Sequence, residues 1–311
     1  AVALRIAESD PRLRVLRIDS LPAGWLGKSH ALWQATRGIT SEWILFLDAD
    51  CILAPSALQV TIEEAIRRGA GLLTLWPRNR AESFWEHLLI PLCAGIIALW
   101  YGSNRVNTPE NTLAFANGQF LLIRKDDYER IGGHRSVRQA IIEDIPLAEA
   151  AKQAGVRCHV ASGCELFSVR MYSSYPAIRD GWARIYVGAL RSSLKIVASL
   201  VWLALGSLFP FVAAFILFIP SAANLVLAEA GPLVIVTLRW CCGLHLALLL
   251  TVSYRFWGFG ACRRSYLILY PLSVILVLRI LWLAWWRLAV KRSIVWSTTV
   301  YRINGKGVIV G

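Results

Sequence analysis

Hydrophobic and polar positions divide the chain into two unlike parts. Up to about residue 190, short apolar runs alternate with amphipathic stretches; beyond it, apolar runs become long and nearly unbroken. Compact or alternating apolar runs predict strands over 13–18, 42–47, 70–76, 115–123 and 156–161. Helical spacing predicts helices over 29–37, over 55–68 with a proline near its start, and over 142–154, closed by Gly155. This alternation predicts an α/β domain over residues 1–190 with a mostly parallel sheet. Ligands in such sheets bind beyond the carboxyl ends of the strands, so the acids that follow 42–47 stand where chemistry is expected.

The second part, 191–311, reads as a membrane region. Runs over 198–220, 232–252 and 266–286 are each long enough to cross a hydrocarbon core of ~30 Å. Arg239 and Arg279 interrupt the second and third. A charge at the bilayer centre costs at least ~2.5 kcal/mol unless it snorkels or faces protein. An earlier apolar run, 84–101, contains Pro91 and carries Trp85, Trp100 and Tyr101 near its ends. It is short for a span and reads as a helix lying in the membrane interface, with a buried core helix as the alternative.

The basic residues suggest a topology. The loop near 221–231 has no Lys or Arg, whereas Arg255, Arg263 and Arg264 cluster after the second run. This places the latter loop, and with it the α/β domain, on the cytoplasmic side of the cell membrane. Three crossings would then put Arg287, Lys291 and Arg292 outside, against the same rule. Either the third run is re-entrant or the number of spans is off by one.

Composition agrees. Of 311 residues, 56% are hydrophobic, and the mean hydropathy is +0.51. The net charge of +13 is uneven: residues 1–190 carry 21 Lys and Arg against 19 acids, and residues 191–311 carry 12 against one, Glu229. Arginines that flank apolar runs match anionic lipid headgroups rather than nucleic acid, which is excluded as a partner. The seven cysteines include no CxxC and no Cys/His cluster with zinc spacing.

Five short segments carry candidate chemistry. In Trp43-Ile44-Leu45-Phe46-Leu47-Asp48-Ala49-Asp50, an apolar strand delivers two carboxylates two positions apart, and residues so spaced on a strand face the same way. Hard oxygen ligands of this kind suit Mg²⁺ or Mn²⁺, which would neutralise a diphosphate; a polar loop explains the acids equally well. Gly24-Trp25-Leu26-Gly27-Lys28 offers close backbone approach and a cation, or simply a turn with a lysine. In Ile142-Glu143-Asp144, before a helix, one carboxylate is either a general base or a capping acid. Asn117-Gly118-Gln119 reads as part of a strand where a ligand can approach the backbone, with a bulge or turn as the alternative. Arg170-Met171-Tyr172, followed by Gly181-Trp182-Ala183-Arg184, sets aromatics beside arginines, in an acceptor and diphosphate site or in an interfacial helix.

In this order the segments resemble family 2 glycosyltransferases of the GT-A fold, and among them the hopene-associated and carotenoid-acid glycosyltransferases. The likeness rests on the segment from Gly24 to Leu32, the stretch around Asp48 and Asp50, residues 116–124 with Gly132-Gly133-His134, residues 142–148, and residues 170–184. It implies that Asp48 and Asp50 hold the metal and the diphosphate, and that Lys28, Asn117 and Gly118 lie on the nucleotide-sugar side. It implies that Asp144 deprotonates an acceptor hydroxyl with Glu143 in support, and that Trp182 and Arg184 close over the site. The reaction implied is an inverting transfer of sugar from a nucleotide-sugar donor to a lipid acceptor, a hopanoid or another polyisoprenoid, at the membrane.

The chain departs from the family pattern in two places. The RW-type element is not literal at 182–184. The family's first strand and its early nucleobase-contacting aspartate should precede this point, yet 47 residues stand before Asp48; the resemblance thus implies an N-terminally incomplete domain. A non-catalytic or degenerate membrane subunit derived from such an enzyme is the competing reading. A small transporter would leave the acid pairs of the α/β domain without a role.

Overall fold

The computed structural model describes residues 2–219, 230–296 and 299–310. In chain order the first domain contains α1 (Val2–Ser9), α2 (Gly27–Ala35), β1 (Trp43–Leu47), β2 (Cys51–Leu53), α3 (Ala57–Arg68), β3 (Leu72–Trp76) and β4 (Arg78–Asn79). It continues through α4 (Phe84–Trp100), α5 (Ser103–Asn107), β5 (Phe120–Arg124), α6 (Lys125–Arg130), α7 (Gly133–Ser136), α8 (Asp144–Gln153), β6 (Cys158–Ser162), β7 (Phe167–Val169) and α9 (Tyr175–Leu190). Then come α10 (Ser193–Leu203), α11 (Phe209–Phe218), α12 (Pro232–Phe259), α13 (Tyr270–Trp285), β8 (Ser293–Trp296) and β9 (Thr299–Arg302).

The main sheet has the order β1-β5-β3-β6. β5 runs antiparallel to both its neighbours, and β3 pairs in parallel with β6. Three strands therefore share one direction, but the sheet is mixed, because the reversed β5 is inserted between β1 and β3. No periodicity along the chain encodes which strand lies beside which. In β3, Leu72, Leu73, Thr74 and Leu75 are all buried, as a strand covered on both faces requires. Ile44, Phe46, Leu121 and Ile123 pack on one side with Leu147, Ala148 and Ala151 of α8. Leu73, Leu75, Phe120 and Leu122 pack on the other with Ala65 of α3. A second sheet, β2-β7-β4, begins immediately after the acid pair.

Two predicted elements change. The strand expected over 13–18 does not form: those residues are exposed and lack a ladder partner. An extended run without a neighbour leaves its amides to water, so apolar alternation alone does not make a strand. The strand expected over 115–123 begins only at Phe120, with Gly118 and Gln119 in the turn before it. Helix α8 ends as predicted, with Gly155 left-handed at φ +79°.

α4 is the joint between the two parts. Ser83 and Glu86 form a reciprocal capping box at its start. Buried Glu86 also takes the Arg170 guanidinium, Nε to Oε1 at 2.9 Å. Pro91 has no N–H, so the carbonyl of His87 loses its helical donor. The indole of Trp257, near the end of α12, donates to that carbonyl at 3.1 Å, and Ser273 Oγ of α13 donates to Leu88 O at 2.7 Å. The proline thus frees the acceptor that Trp257 takes, and the next carbonyl receives α13.

Among the described residues, four helical stretches are long and apolar enough to cross a membrane: Phe84–Asn107, Ser193–Phe218, Pro232–Gly258 and Arg264–Lys291. They mark the chain as membrane-associated. They differ in burial: about half of the first is covered by protein, and almost none of the third. Leu233, Trp240, Leu244 and Val252 of α12 are largely exposed, a surface that water does not favour and lipid does. Within this apolar hairpin Arg239 Nε donates to Leu217 O at 2.8 Å. The helix predicted to end near 252 runs on to Phe259, so Arg255 is helical rather than part of a loop. The loop predicted near 221–231 lies largely outside the described residues.

Candidate active site

Lys28 is the hub. α2 begins at Gly27, two residues before its expected start, which places Lys28 in its first turn. Its Nζ lies 2.8 Å from Asp48 Oδ1 and 2.8 Å from Glu143 Oε1. Burial opposes its charge, but Glu143 and Asp48 outweigh burial and hold the ammonium well above its usual range.

Asp144 stands beside this cluster. Its Oδ2 accepts the amide of Gly118 at 2.6 Å and its Oδ1 the amide of Ile145 at 2.7 Å. Burial raises its pKa to about 7, with the charge of Glu143 adding to the shift; Lys28 and the two amides oppose it. A carboxyl poised near neutrality suits proton transfer. Gly118 is required by the close approach. A Cβ there would lie 3.0 Å from Asp144 Oδ2 and 3.4 Å from Lys28 Nζ. Asn117 braces the same turn: Thr74 Oγ accepts its amide at 2.8 Å and Leu75 O accepts its side chain at 3.0 Å. Its side chain is thereby engaged with the fold.

The acid pair sits differently from the expectation. β1 ends at Leu47, so Asp48, Ala49 and Asp50 form a turn rather than the end of a strand, and strand alternation does not orient them. Asp48 faces Lys28, while Asp50 is exposed and outside the lining of the cavity. Burial and the neighbouring Asp48 both raise the pKa of Asp50. Among the described residues no three His, Cys, Asp or Glu side chains cluster as metal ligands. Two carboxylates with adverse mutual charge still fit Mg²⁺ or Mn²⁺, which commonly takes one or two carboxylates together with substrate phosphates and water.

These residues open onto one cavity of about 380 Å³. Lys28, Asp48, Gly118, Glu143 and Asp144 line its polar end, and Asn117, Tyr172, Trp182 and Arg184 also line it. The remaining wall is mainly apolar, with Pro91, Ala94 and Ile97 of α4 and Phe256 near the end of α12. Trp76 and Phe115 stack in it at 4.7 Å. Of the site residues expected from the sequence, all but Asp50 line this one space.

α9 supplies the other side. Gly181 admits the Tyr172 ring, whose Cζ would be 2.3 Å from a Cβ, and Gly188 admits Ile142 at 2.6 Å. Arg184 Nη2 donates to Tyr172 Oη at 2.9 Å. Burial raises the Tyr172 phenol, Arg184 lowers it, and Asp50 and Asp48 raise it further. Trp182 is buried, and its indole N–H has no hydrogen-bond partner among the described residues. Arg170, two residues before Tyr172, is instead committed to Glu86 and Glu82.

A further wall residue also escaped the sequence reading. Trp296, in β8, lies under the Arg184 guanidinium, 4.8 Å from Cζ to the ring centroid. It follows the last apolar helix and belongs to no short motif, so its approach to Arg184 exists only in three dimensions.

The architecture is that of a mixed α/β domain followed by long apolar helices. The chain belongs to the glycosyltransferase-like family 2, whose model matches residues 2–181. It is similar to the 4,4'-diaponeurosporenoate glycosyltransferase of Staphylococcus aureus strain MRSA252, 29% identical over 202 residues, which cover 61% of this chain and 52% of that protein. The enzyme of the same name from strain USA300 is 29% identical over 215 residues, covering 66% of this chain and 55% of that protein. The chain thus spans about half the length of these curated relatives.

Proposed function

We propose that the protein is an inverting glycosyltransferase that moves a sugar from a nucleotide donor to a membrane lipid. The observation that carries this reading is the single cavity with Lys28, Asp48, Glu143 and Asp144 at one end and the apolar wall from α4 and α12 at the other. Charged groups suit a sugar diphosphate, and the apolar wall suits a lipid chain.

In this mechanism Asp144 takes the proton of an acceptor hydroxyl. The acceptor oxygen attacks the anomeric carbon as the bond to the diphosphate oxygen breaks, which inverts that centre. Glu143 disfavours the charged form of Asp144 and keeps it basic. Lys28 and Arg184 meet the charge that develops on the departing diphosphate. Asp48 and Asp50 would hold the Mg²⁺ or Mn²⁺, which supplies positive charge to the same diphosphate when bound. Trp182 faces the acceptor. The relatives' name specifies a diaponeurosporenoate substrate for them; for this chain we infer a polyisoprenoid acceptor, with a hopanoid as one member of that class.

The same reading gives a topology. The α10–α11 run and α12 cross the membrane as a hairpin. α4 and α13 lie along its cytoplasmic face beneath the domain. Arg287, just past the end of α13, supports this: its Nη2 donates to Asp180 Oδ1 of α9 at 2.6 Å. Two crossings return Arg255, Arg263, Arg287 and Lys291 to one side, which removes the conflict that three crossings create.

The test is transfer assayed with UDP- and GDP-hexoses, Mg²⁺ or Mn²⁺, and polyprenol or hopanoid acceptors in nanodiscs. The product's anomeric configuration is read by NMR. An inverted product, lost in Asp144→Asn, is expected. Retention of configuration, or undiminished turnover in that variant, overturns the reading. A metal-independent binder of nucleotide sugars with no transfer would favour the degenerate-subunit reading.

A further inference from the structure

The segment after α13 returns to the active-site side of the domain. β8 and β9 pair as an antiparallel hairpin. Beyond it, Val308 bridges Ala140, and the amide of Ile309 donates to Gln139 O at 3.1 Å. Gly307 is left-handed at φ +66°, and its Cβ position lies only 3.0 Å from Val187 O of α9. Ile303 and Ile309 are buried. The strap is thus fastened to the chain shortly before Glu143 and to α9, the two elements that supply the site. Between these fastenings and α13, it presents Trp296 to the cavity.

Arg184 needs such a neighbour. Its guanidinium has five donors. One donates to Tyr172 Oη, and among the described residues no carboxylate pairs with it. A half-buried cation lining a cavity, with unused donors and no anion of its own among the described residues, is prepared for an anionic ligand. A flexible side chain meets that ligand well only if it is held. The Trp296 ring fixes the plane of the guanidinium from one side, and the Tyr172 hydroxyl fixes its direction from another.

We propose that Trp296 is a positioning residue, which holds Arg184 against the donor's diphosphate, so that the C-terminal strap completes the donor site. The proposal rests on the sugar-transfer reading given above. It assigns to residues beyond the last apolar helix a part in substrate binding that neither the acid pairs nor the family match, which ends at 181, covers.

The experiment uses the full chain in nanodiscs, with Trp296→Ala, Trp296→Leu, Trp296→Phe, Arg184→Ala and the double variant Arg184→Ala/Trp296→Ala. UDP- and GDP-hexose transfer yields donor KM, acceptor KM and kcat, and calorimetry with UDP and GDP in Mg²⁺ yields nucleotide affinity. Trp296→Ala and Trp296→Leu should raise donor KM by about tenfold, and Trp296→Phe should restore most of it, because a π face and not bulk is needed. Acceptor KM should move by less than about twofold, and the double variant should be no worse than Arg184→Ala, since both changes act through one contact. Unchanged donor KM in Trp296→Leu with wild-type melting overturns the proposal, as does additive loss in the double variant or a shift confined to acceptor KM. A wild-type chain that neither binds UDP or GDP nor transfers sugar removes the sugar-transfer reading itself, and this proposal with it.

Discussion

The backbone amide of Gly118 donates to the carboxylate of Asp144 at 2.6 Å, joining the turn before β5 to the first turn of α8. That contact needs a residue without a side chain. In Gly118→Ala the new methyl would press on Asp144 Oδ2 and Lys28 Nζ. The expected outcome is a fall in kcat of about tenfold from misplacing the base, with little change in melting temperature. Steady-state transfer and thermal melting of the same preparations check it.

The raised pKa of Asp144 gives activity a pH dependence. The base works deprotonated and titrates at about 7, so kcat/KM should fall on the acid side of neutrality, to roughly a tenth one unit below that point. The stability effect has the opposite sense. A carboxyl whose folded pKa lies above its ordinary value of 3.8 adds stability at low pH, and that contribution is lost as pH rises through about 7. The difference in stability between wild type and Asp144→Asn across pH isolates this group. A kcat/KM that stays flat from pH 5.5 to 8 argues against Asp144 as the base.

Lys28 separates two acids that would otherwise repel. Glu143 is buried, so Lys28→Ala leaves a carboxylate without its cation. The loss of stability should be about 2 kcal/mol, below that of a fully buried pair because Lys28 and Asp48 are each about one-third exposed. Asp144 also loses an opposing positive charge, so the acid limb of the activity profile should move to higher pH. Denaturant titration and the pH–rate profile read the two effects separately.

Trp257 holds α12 to the proline-freed carbonyl of α4 at 3.1 Å. Trp257→Phe keeps an aromatic ring and deletes the donor, leaving His87 O unsatisfied in a buried place. A loss of about 1–2 kcal/mol is expected, seen as a lower melting temperature in detergent. An unchanged melting temperature would mean that water or lipid replaces the indole.

The topology is testable with single cysteines in a chain whose native cysteines are replaced. Gly231→Cys, at the start of α12, should react with a membrane-impermeant maleimide in intact cells. Arg292→Cys, after α13, should react only once the membrane is opened. Labelling of both from outside would require α13 to cross.

Much of the fold was legible locally. Helices and strands of the first domain follow apolar period and end signals, as at Gly155, and the long apolar runs declare themselves because lipid demands length. The failures share a cause. Residues 13–18 alternate correctly yet stay exposed and unpaired, because a strand exists only with a partner. The reversed direction of β5 between β1 and β3 is likewise a fact about neighbours. Strand geometry gave a plausible reason for Asp48 and Asp50 to share a face, and the turn after Leu47 replaces it.

The amino-acid order alone determined which chemistry was present: the acids at 48, 50, 143 and 144, the lysine at 28, the glycine at 118 and the apolar runs that follow. These are local signals, carried by residue type, spacing and flanking pattern. Only the tertiary structure decided that Lys28 bridges Asp48 and Glu143, that Pro91 hands a carbonyl to Trp257, and that Trp296 comes back to lie under Arg184. Contacts between residues so far apart in sequence depend on how whole elements pack, and packing is set by the complementary surfaces of all of them together rather than by any short stretch.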